Sequence, residues 1–329
     1  MYSSKKIIIF LFILLLLSFF FCASLGAYHI PSWNIFSILF NKLEGYEVLF
    51  YIRIPRIIMA IIAGASLAIS GAVLQGLFRN PLADPGLIGI TTGAGFGISL
   101  WIVFGGDSLF SELSIVLIAF FSGLGVTFLV WKIALYQGST IIAVLLLSGV
   151  ALNSIFGAGI GIMTFIAEDE QLRDITFWLL GSLGGITWKT IITSFPIIFL
   201  GIYIIIRKHR EIDVFSLGEN EAYHLGISTQ KLKREIMIGT ALCVGASVSV
   251  VGGVGFIGLM VPHILRLLGG SLNKYLLISS SLGGAIILLL ADTFARTIFS
   301  PIEIPVGTVT AFLGGPFFIW LLIKQKTNY

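Results

Sequence analysis

Long stretches without a charged residue dominate this chain and limit what it can fold into. The uncharged apolar runs are 7–28, 57–78, 85–106, 113–131, 133–167, 190–206, 236–265, 275–291 and 304–323. A helix needs about 20 apolar residues to cross a bilayer, and most of the runs have that length. A transmembrane barrel would instead show short segments of alternating polarity. The runs therefore predict an all-α polytopic membrane protein.

Two of the runs are too long for one crossing. Run 133–167 is interrupted by Gln137-Gly138-Ser139-Thr140, so its first residues complete the preceding helix and a new helix begins at Thr140. Run 236–265 contains several glycines and is split into two helices near Gly252–Gly255. Glycine and polar turn residues interrupt helices in this way. The sequence therefore predicts ten transmembrane helices in a single transmembrane domain, 1–329.

The composition excludes several classes of protein. Hydrophobic residues make up 57% and charged residues 11% of the chain, whereas soluble domains carry about 25% charged residues. A soluble enzyme, a disordered chain and a nucleic-acid-binding module are therefore excluded. The two cysteines, Cys22 and Cys243, lie in apolar runs and form no metal-binding motif. No catalytic constellation, metal site or phosphate-binding loop is present, so any ATP hydrolysis must occur in another chain.

The distribution of positive charge predicts the orientation. With the N-terminus inside and the first run read as an uncleaved helix, only six of the 20 Lys and Arg residues fall outside: Lys42, Arg53, Arg56, Arg173, Lys189 and Arg296. Cytoplasmic loops carry the excess of basic residues. Ten helices then place both termini in the cytoplasm, with one sizeable cytoplasmic loop at 207–234.

Two similar segments suggest an internal repeat. Ala63–Val73 resembles Val244–Val254, and the two lie on the second and seventh predicted helices. Helices five apart cross in opposite directions, as in the inverted repeats of many transporters. The alternative is that small residues recur because they allow close helix packing. The sequence does not decide between these two explanations.

Longer strings carry a resemblance to a known family. They are Arg53-Ile54-Pro55-Arg56, the segment 64–75, the segment 79–89 with Asn80-Pro81-Leu82-Ala83-Asp84-Pro85, the segment 255–266 with Pro262-His263, and Ile304-Pro305-Val306-Gly307. From about Tyr28 to Ile323 the chain resembles the FecCD-type permeases of bacterial ABC importers for ferric siderophores, haem and cobalamin. The resemblance implies a cobalamin-importer-permease-like fold of two five-helix halves in the inner membrane.

The resemblance also implies partners and site residues. The partners are a second copy of the chain, two cytoplasmic ATPase subunits that use ATP and Mg²⁺, and a periplasmic substrate-binding protein, with the translocation path between the two permease chains. Arg53, Arg56 and Arg296 are expected to grip glutamates of the binding protein. The alternative is that they are ordinary interfacial arginines.

Two cytoplasmic regions are expected to gate the path and to contact the ATPase. The gate residues are Asn80, Pro81, Leu82, Ser139 and Thr140. The ATPase-coupling residues are Phe215, Ser216, Leu217, Gly218, Glu219, Tyr223, Leu225 and Gly226, in two short helices broken by glycine. The alternatives are ordinary turns and a solvated connector.

The substrate is predicted from one outer segment. Residues 168–185 look closer to haem permeases than to siderophore permeases. Haem is therefore the expected transported substrate, with cobalamin as the first alternative and a ferric siderophore as the second, and no cofactor is expected to be bound permanently. A secondary carrier that works without ATP is the alternative of a different class. It is disfavoured because the spans contain no central acidic residue.

Overall fold

The computed structural model describes residues 4–26, 28, 30–105 and 112–326, and within these ranges it contains 14 α-helices and one two-stranded hairpin. The helices are α1 (Ser4–Ser24), α2 (Ile35–Asn41), α3 (Ile54–Leu77), α4 (Ile90–Phe104), α5 (Glu112–Ala134), α6 (Ile142–Ile166), α7 (Asp169–Leu180), α8 (Trp188–Arg207), α9 (His209–Phe215), α10 (Glu219–His224), α11 (Thr229–Val251), α12 (Ile257–Gly269), α13 (Asn273–Thr297) and α14 (Val306–Lys326). Short 3₁₀ turns lie at Ser32–Asn34 and Pro85–Ile88, and a π-helical segment, Val48–Arg53, leads into α3.

Ten of these helices match the predicted spans. Seven are long and apolar enough to cross a membrane, namely α1, α3 with its π-helical lead, α5, α6, α8, α11 and α13. Three shorter apolar helices, α4, α12 and α14, take the remaining predicted positions. The all-helical fold class is confirmed, and the predicted boundaries are off by a few residues at each end.

The centre of the bundle is built on small residues. A Cβ atom added at Gly64 of α3 would lie 2.3 Å from the carbonyl oxygen of Gly284 on α13. A Cβ added at Gly71 would lie 1.6 Å from the carbonyl oxygen of Gly258 on α12. Helix backbones that touch in this way tolerate only glycine at the contact. The sequence therefore places α3 in direct backbone contact with both α12 and α13.

The predicted split in run 236–265 is confirmed. α11 ends at Val251 and is followed by Gly252, which has φ +74°. Phe256, with φ +67°, precedes α12. Because α12 begins beside the middle of α3, it crosses only part of the bundle. Its first turn and the Asp84–Gly86 turn before α4 line one cavity of about 280 Å³. Interrupted helices that meet inside a bundle are common in transporters.

The polar interruption of run 133–167 forms a β-hairpin. Leu135–Tyr136 pairs antiparallel with Ser139–Thr140. Gln137 and Gly138 both have positive φ, at 48° and 79°, as a type I′ turn requires. The predicted break is therefore correct, whereas the predicted helix start is two residues early, because Thr140 pairs in the hairpin and α6 begins at Ile142. The hairpin Leu135–Thr140 is called the gate hairpin below.

The segment 168–185 contains α7, a helix for which no prediction was made from the sequence. α7 begins with a capping box, in which the side chains of Glu168 and Gln171 each bond the backbone of the other residue. A capping box satisfies two otherwise unpaired backbone amides at the start of a helix. The Glu168-x-x-Gln171 spacing was the signal available in the sequence. α7 ends at Gly181, where the backbone turns with φ +75°.

Candidate functional sites

Two of the predicted docking arginines lie at one end of the bundle and bind the end of α1. Arg53 donates to the carbonyl oxygens of Ala23 at 2.8 Å and Ser24 at 3.3 Å, and also to that of Tyr28. Arg296 donates to the carbonyl oxygens of Cys22 at 2.5 Å and Leu25 at 2.8 Å. The last carbonyl groups of a helix have no partner within the helix. These arginines therefore cap α1 and join it to α3 and α13.

Arg56 is held by two carboxylates of its own chain. Its Nε and Nη2 atoms donate to both oxygens of Asp292 at 2.9–3.1 Å, in a bidentate arrangement. Its Nη1 lies 2.9 Å from Glu303. The Asp292 side chain is 2% exposed, whereas that of Glu303 is 48% exposed. Bidentate pairs of this kind are strong and geometrically specific.

The contacts change how the docking prediction is understood. Asp292 lies one helical turn before Arg296 in the sequence, but the distance between the two side chains is 3.9 Å and the close partner of Asp292 is Arg56, at 2.9 Å. The guanidinium groups of Arg53 and Arg296 are committed to backbone carbonyls, so a partner carboxylate reaches them only after those bonds break. Arg56 differs because one of its two partners, Glu303, is near solvent. Docking by the three arginines remains a prediction.

The opposite end carries the predicted gate residues. Asn80 forms an Asx turn, with its Oδ1 accepting from the backbone N–H of Leu82 at 2.9 Å. Asn80, Pro81 and Ser139 are exposed, Leu82 is half-buried and Thr140 is buried. Gln75, one turn before Asn80, accepts a hydrogen bond from Arg266 of α12 at 2.9 Å. α3 is thus joined to α12 shortly before the turn 80–82, while the gate hairpin contacts α11.

The loop between α8 and α11 has two short helices, as predicted, here α9 and α10. It presents three apolar side chains to solvent, with Leu217 67%, Tyr223 70% and Leu225 65% exposed. Ser216 and Gly226 are also exposed. Exposed apolar groups on a loop, outside any span, are typical of a surface that a protein partner covers. We call Leu217, Tyr223 and Leu225 the loop surface.

Two of the predicted coupling residues have internal roles. The Phe215 side chain is fully buried, so it anchors α9 and cannot itself contact a partner in this conformation. Gly218 is buried and has φ +149°, in the region that favours glycine. The backbone conformation therefore favours glycine at this position, between α9 and α10.

The loop is tied to the bundle by polar contacts. Asp213 of α9 accepts hydrogen bonds from the backbone and side-chain nitrogens of Asn273, both at 2.8 Å, at the start of α13. Lys208 pairs with Glu235 at 2.6 Å and Glu211 at 2.9 Å. Burial acts to lower the pKa of Lys208, but the hydrogen bonds to both glutamates outweigh it and raise the pKa above its usual value. These contacts attach the loop to α11 and α13.

The side chains that contact several of the predicted site residues could not be identified from the sequence. Glu303 lies between Pro301 and Pro305 and was not among the predicted site residues, although it contacts Arg56. Gln230 and Lys233 contact both Thr140 and Glu219. The sequence signal that could have indicated a buried Lys233 was its position between Leu232 and the apolar run that starts at Ile236. Within the described ranges, no group of three His, Cys, Asp or Glu side chains is placed to hold a metal ion.

Comparison with known proteins agrees with this arrangement. The FecCD transport family matches residues 14–324. The hemin transport system permease protein HmuU of Yersinia pestis is 41% identical over 277 residues, which cover 84% of this chain and 83% of that protein. The vitamin B12 import system permease protein BtuC of Salmonella arizonae is 40% identical over 282 residues, covering 86% and 84% of the two chains.

A solved structure shares the whole architecture. It was described as an inward-facing conformation of a transporter assigned to the metal-chelate ABC type. It is 32% identical to this chain, covers 98% of it and 100% of its own length, and superimposes with a TM-score of 0.85. The chain belongs to the FecCD transport family, as a membrane-spanning permease subunit of an ABC importer.

Proposed function

We propose that the chain is the permease of a haem importer that moves iron-porphyrin from the periplasm to the cytoplasm. The main support for haem as the substrate is the 41% identity to a hemin transport permease over most of both chains. The outer segment 168–185, with α7 at its centre, supports the same substrate because its sequence looks like that of haem permeases.

The orientation follows from the two ends of the bundle. The end with Arg53, Arg56 and Arg296 faces the periplasm, and the end with the gate hairpin and the loop 207–234 faces the cytoplasm. The excess of Lys and Arg at the second end supports this assignment. Reporter fusions after Asn220 and Lys326 are expected to report cytoplasm, and one at Asp169 to report periplasm. A periplasmic signal at Asn220 would reverse the orientation.

The permease works as a pair of identical chains in the bacterial inner membrane. On α6, Leu147 is 71% and Phe165 89% exposed in the single chain. Cβ atoms added at Gly157 and Gly161 would meet no atom within 4 Å. Small residues four apart on an exposed helix permit close contact with another helix. These features support α6 as part of the surface between two copies, where the path runs.

Two ATPase subunits and a binding protein complete the transporter. The ATPases bind the loop surface from the cytoplasm and supply the energy of ATP hydrolysis, which needs Mg²⁺ at their own sites. The binding protein docks on the periplasmic end, at the arginines. The permease alternates between two access states, and each partner shifts this equilibrium by contacting the two states differently. Asn80–Leu82, Ser139 and Thr140 close the cytoplasmic exit.

A transport assay with three substrates tests the proposal. The permease, its ATPase and its binding protein are reconstituted in proteoliposomes, and uptake of haem, cobalamin and a ferric siderophore is measured with and without ATP. ATP-dependent uptake of haem alone is the expected result. ATP-dependent uptake of cobalamin or of the siderophore in place of haem would reassign the substrate. Uptake without any ATPase would instead indicate a secondary carrier.

A further inference from the structure

Two regions that the sequence assigns to different tasks are bridged by side chains of α11. One is the gate hairpin, and the other is α10, in the loop expected to bind the ATPase. Gln230 and Lys233 lie three residues apart near the start of α11, and residues at this spacing lie side by side on one face of a helix. Each of them contacts both regions.

At the gate hairpin, both backbone polar groups of Thr140 are held. Its N–H donates to Gln230 Oε1 at 2.7 Å, and its carbonyl oxygen accepts from Lys233 Nζ at 2.7 Å. Thr140 is the last residue of the hairpin, directly before the segment that leads into α6. Its position therefore depends on where the ends of these two side chains lie.

At α10, the same two side chains meet one carboxylate oxygen. Glu219 Oε1 lies 2.5 Å from Lys233 Nζ and accepts from Gln230 Nε2 at 3.2 Å. Glu219 is the first residue of α10 and follows Gly218, whose backbone conformation favours glycine. A shift of α10 therefore moves the acceptor that both side chains share.

Because Lys233 is buried, its ammonium group must keep its ion pair with Glu219. Lys233 is 2% exposed, and a buried ammonium group needs a paired anion. Within the described part of the chain, the carboxylate in its salt bridge is that of Glu219. If α10 moves away, Lys233 must follow it or find water. In either case the position or the bonding of the Lys233 ammonium group changes, and with it the hydrogen bond to the carbonyl oxygen of Thr140.

We propose that Lys233 and Gln230 are positioning residues that transmit movement of α10 to the gate hairpin, so that the nucleotide state of the ATPase sets the state of the gate. The inference rests on the proposed function, in which α10 contacts the ATPase and the hairpin closes the exit. The physical basis is one pair of side chains that both regions must share, which is a direct coupling of two sites.

A cysteine at the gate reports the coupling. Ser139→Cys places a thiol on the exposed hairpin, whereas the native Cys22 and Cys243 are fully buried. The complete transporter is placed in lipid nanodiscs, and the rate of reaction with a polar maleimide is compared with and without ATP. With Lys233 present, we expect the rate to depend on ATP. In Lys233→Met, we expect that dependence to be lost although the ATPase still assembles and hydrolyses ATP.

The second readout is the amount of haem transported per ATP hydrolysed in proteoliposomes. Coupling between sites commonly corresponds to about 5- to 150-fold effects, so we expect Lys233→Met to lower this ratio by at least about fivefold. A residue with only a structural role would lower transport and hydrolysis together. Lys231→Met is the matched control, because Lys231 is exposed on the same helix, and it should retain both the ratio and the ATP-dependent labelling.

Two outcomes overturn the proposal in distinguishable ways. If Lys233→Met keeps both the ATP-dependent labelling and the transport ratio, the link is not used and the proposed function stands. If the thiol at position 139 reacts equally with and without ATP when Lys233 is intact, the gate assignment is wrong and the inference fails with it. If the Lys233→Met variant does not insert into the membrane, Glu219→Gln provides the test. It removes the charge from the more accessible partner of the ion pair, and we expect it to abolish the ATP-dependent labelling and to lower the haem-to-ATP ratio.

Discussion

Ser66 Oγ and Ser247 Oγ lie 2.5 Å apart in the buried contact between α3 and α11. The two serines hold the same position in the two similar segments, each following Gly-Ala. α3 runs from the arginine end to the hairpin end, and α11 runs the opposite way. Equivalent residues of two repeats meet where a two-fold axis passes between them. The contact therefore has the geometry of an inverted repeat, in agreement with the first of the two explanations for the similar segments.

The hydrogen bonds of this pair predict an asymmetry between two alanine variants. Ser66 also donates to the carbonyl oxygen of Ala63 at 2.9 Å, so its hydroxyl stays satisfied in Ser247→Ala. In Ser66→Ala the buried hydroxyl of Ser247 loses its acceptor, and we expect a loss of about 1 kcal/mol of unfolding free energy. The unfolding free energy of both variants is measured in detergent. A larger loss in Ser247→Ala would show that the hydroxyl groups are arranged differently.

The ion pair between Arg56 and Asp292 predicts a large effect on stability. Removing one partner of a buried pair leaves the other charge without compensation and costs about 3–5 kcal/mol. We therefore expect Arg56→Met to destabilise the permease strongly, and the double variant Arg56→Met/Asp292→Asn to recover much of the loss. Thermal unfolding in detergent measures this. Equal melting temperatures for the single and double variants would contradict the buried ion pair.

The exposed partner of Arg56 predicts an effect on docking. The Glu303 carboxylate is paired with Nη1 of Arg56, the atom that a carboxylate of the binding protein would need to bind. Glu303→Gln removes this competitor, and an exposed ion pair is worth at most about 1 kcal/mol. We expect the Kd for the binding protein to fall by up to about fivefold, less at high salt. Glu44→Gln, another exposed outer carboxylate, is the control. Weaker docking in Glu303→Gln would mean that Glu303 itself contacts the partner.

The sequence predicted the elements better than the contacts between them. Charge-free runs and the Gln137-Gly138 turn are local signals, so the ten spans and both interruptions could be placed. The partner of Arg56 could not be predicted, because Asp292 lies 236 positions away and is closer in sequence to Arg296. The sequence also could not show that Phe215 is buried while Leu217 is exposed. Such differences depend on how α9 packs against the spans.

The loop surface predicts where binding to the ATPase can be broken without unfolding the permease. Tyr223 and Leu225 are largely exposed, so truncating them removes little internal packing. Residues central to an interface often cost about 2 kcal/mol or more when replaced by alanine. We expect Tyr223→Ala/Leu225→Ala to weaken ATPase binding at least about 30-fold, measured by co-purification and titration, with an unchanged melting temperature of the permease alone. Asn220→Ala, exposed on the same helix, should bind normally. If the double variant binds the ATPase as tightly as this control does, the partner contacts the permease elsewhere, because an interface centred on these side chains could not lose both without weakening.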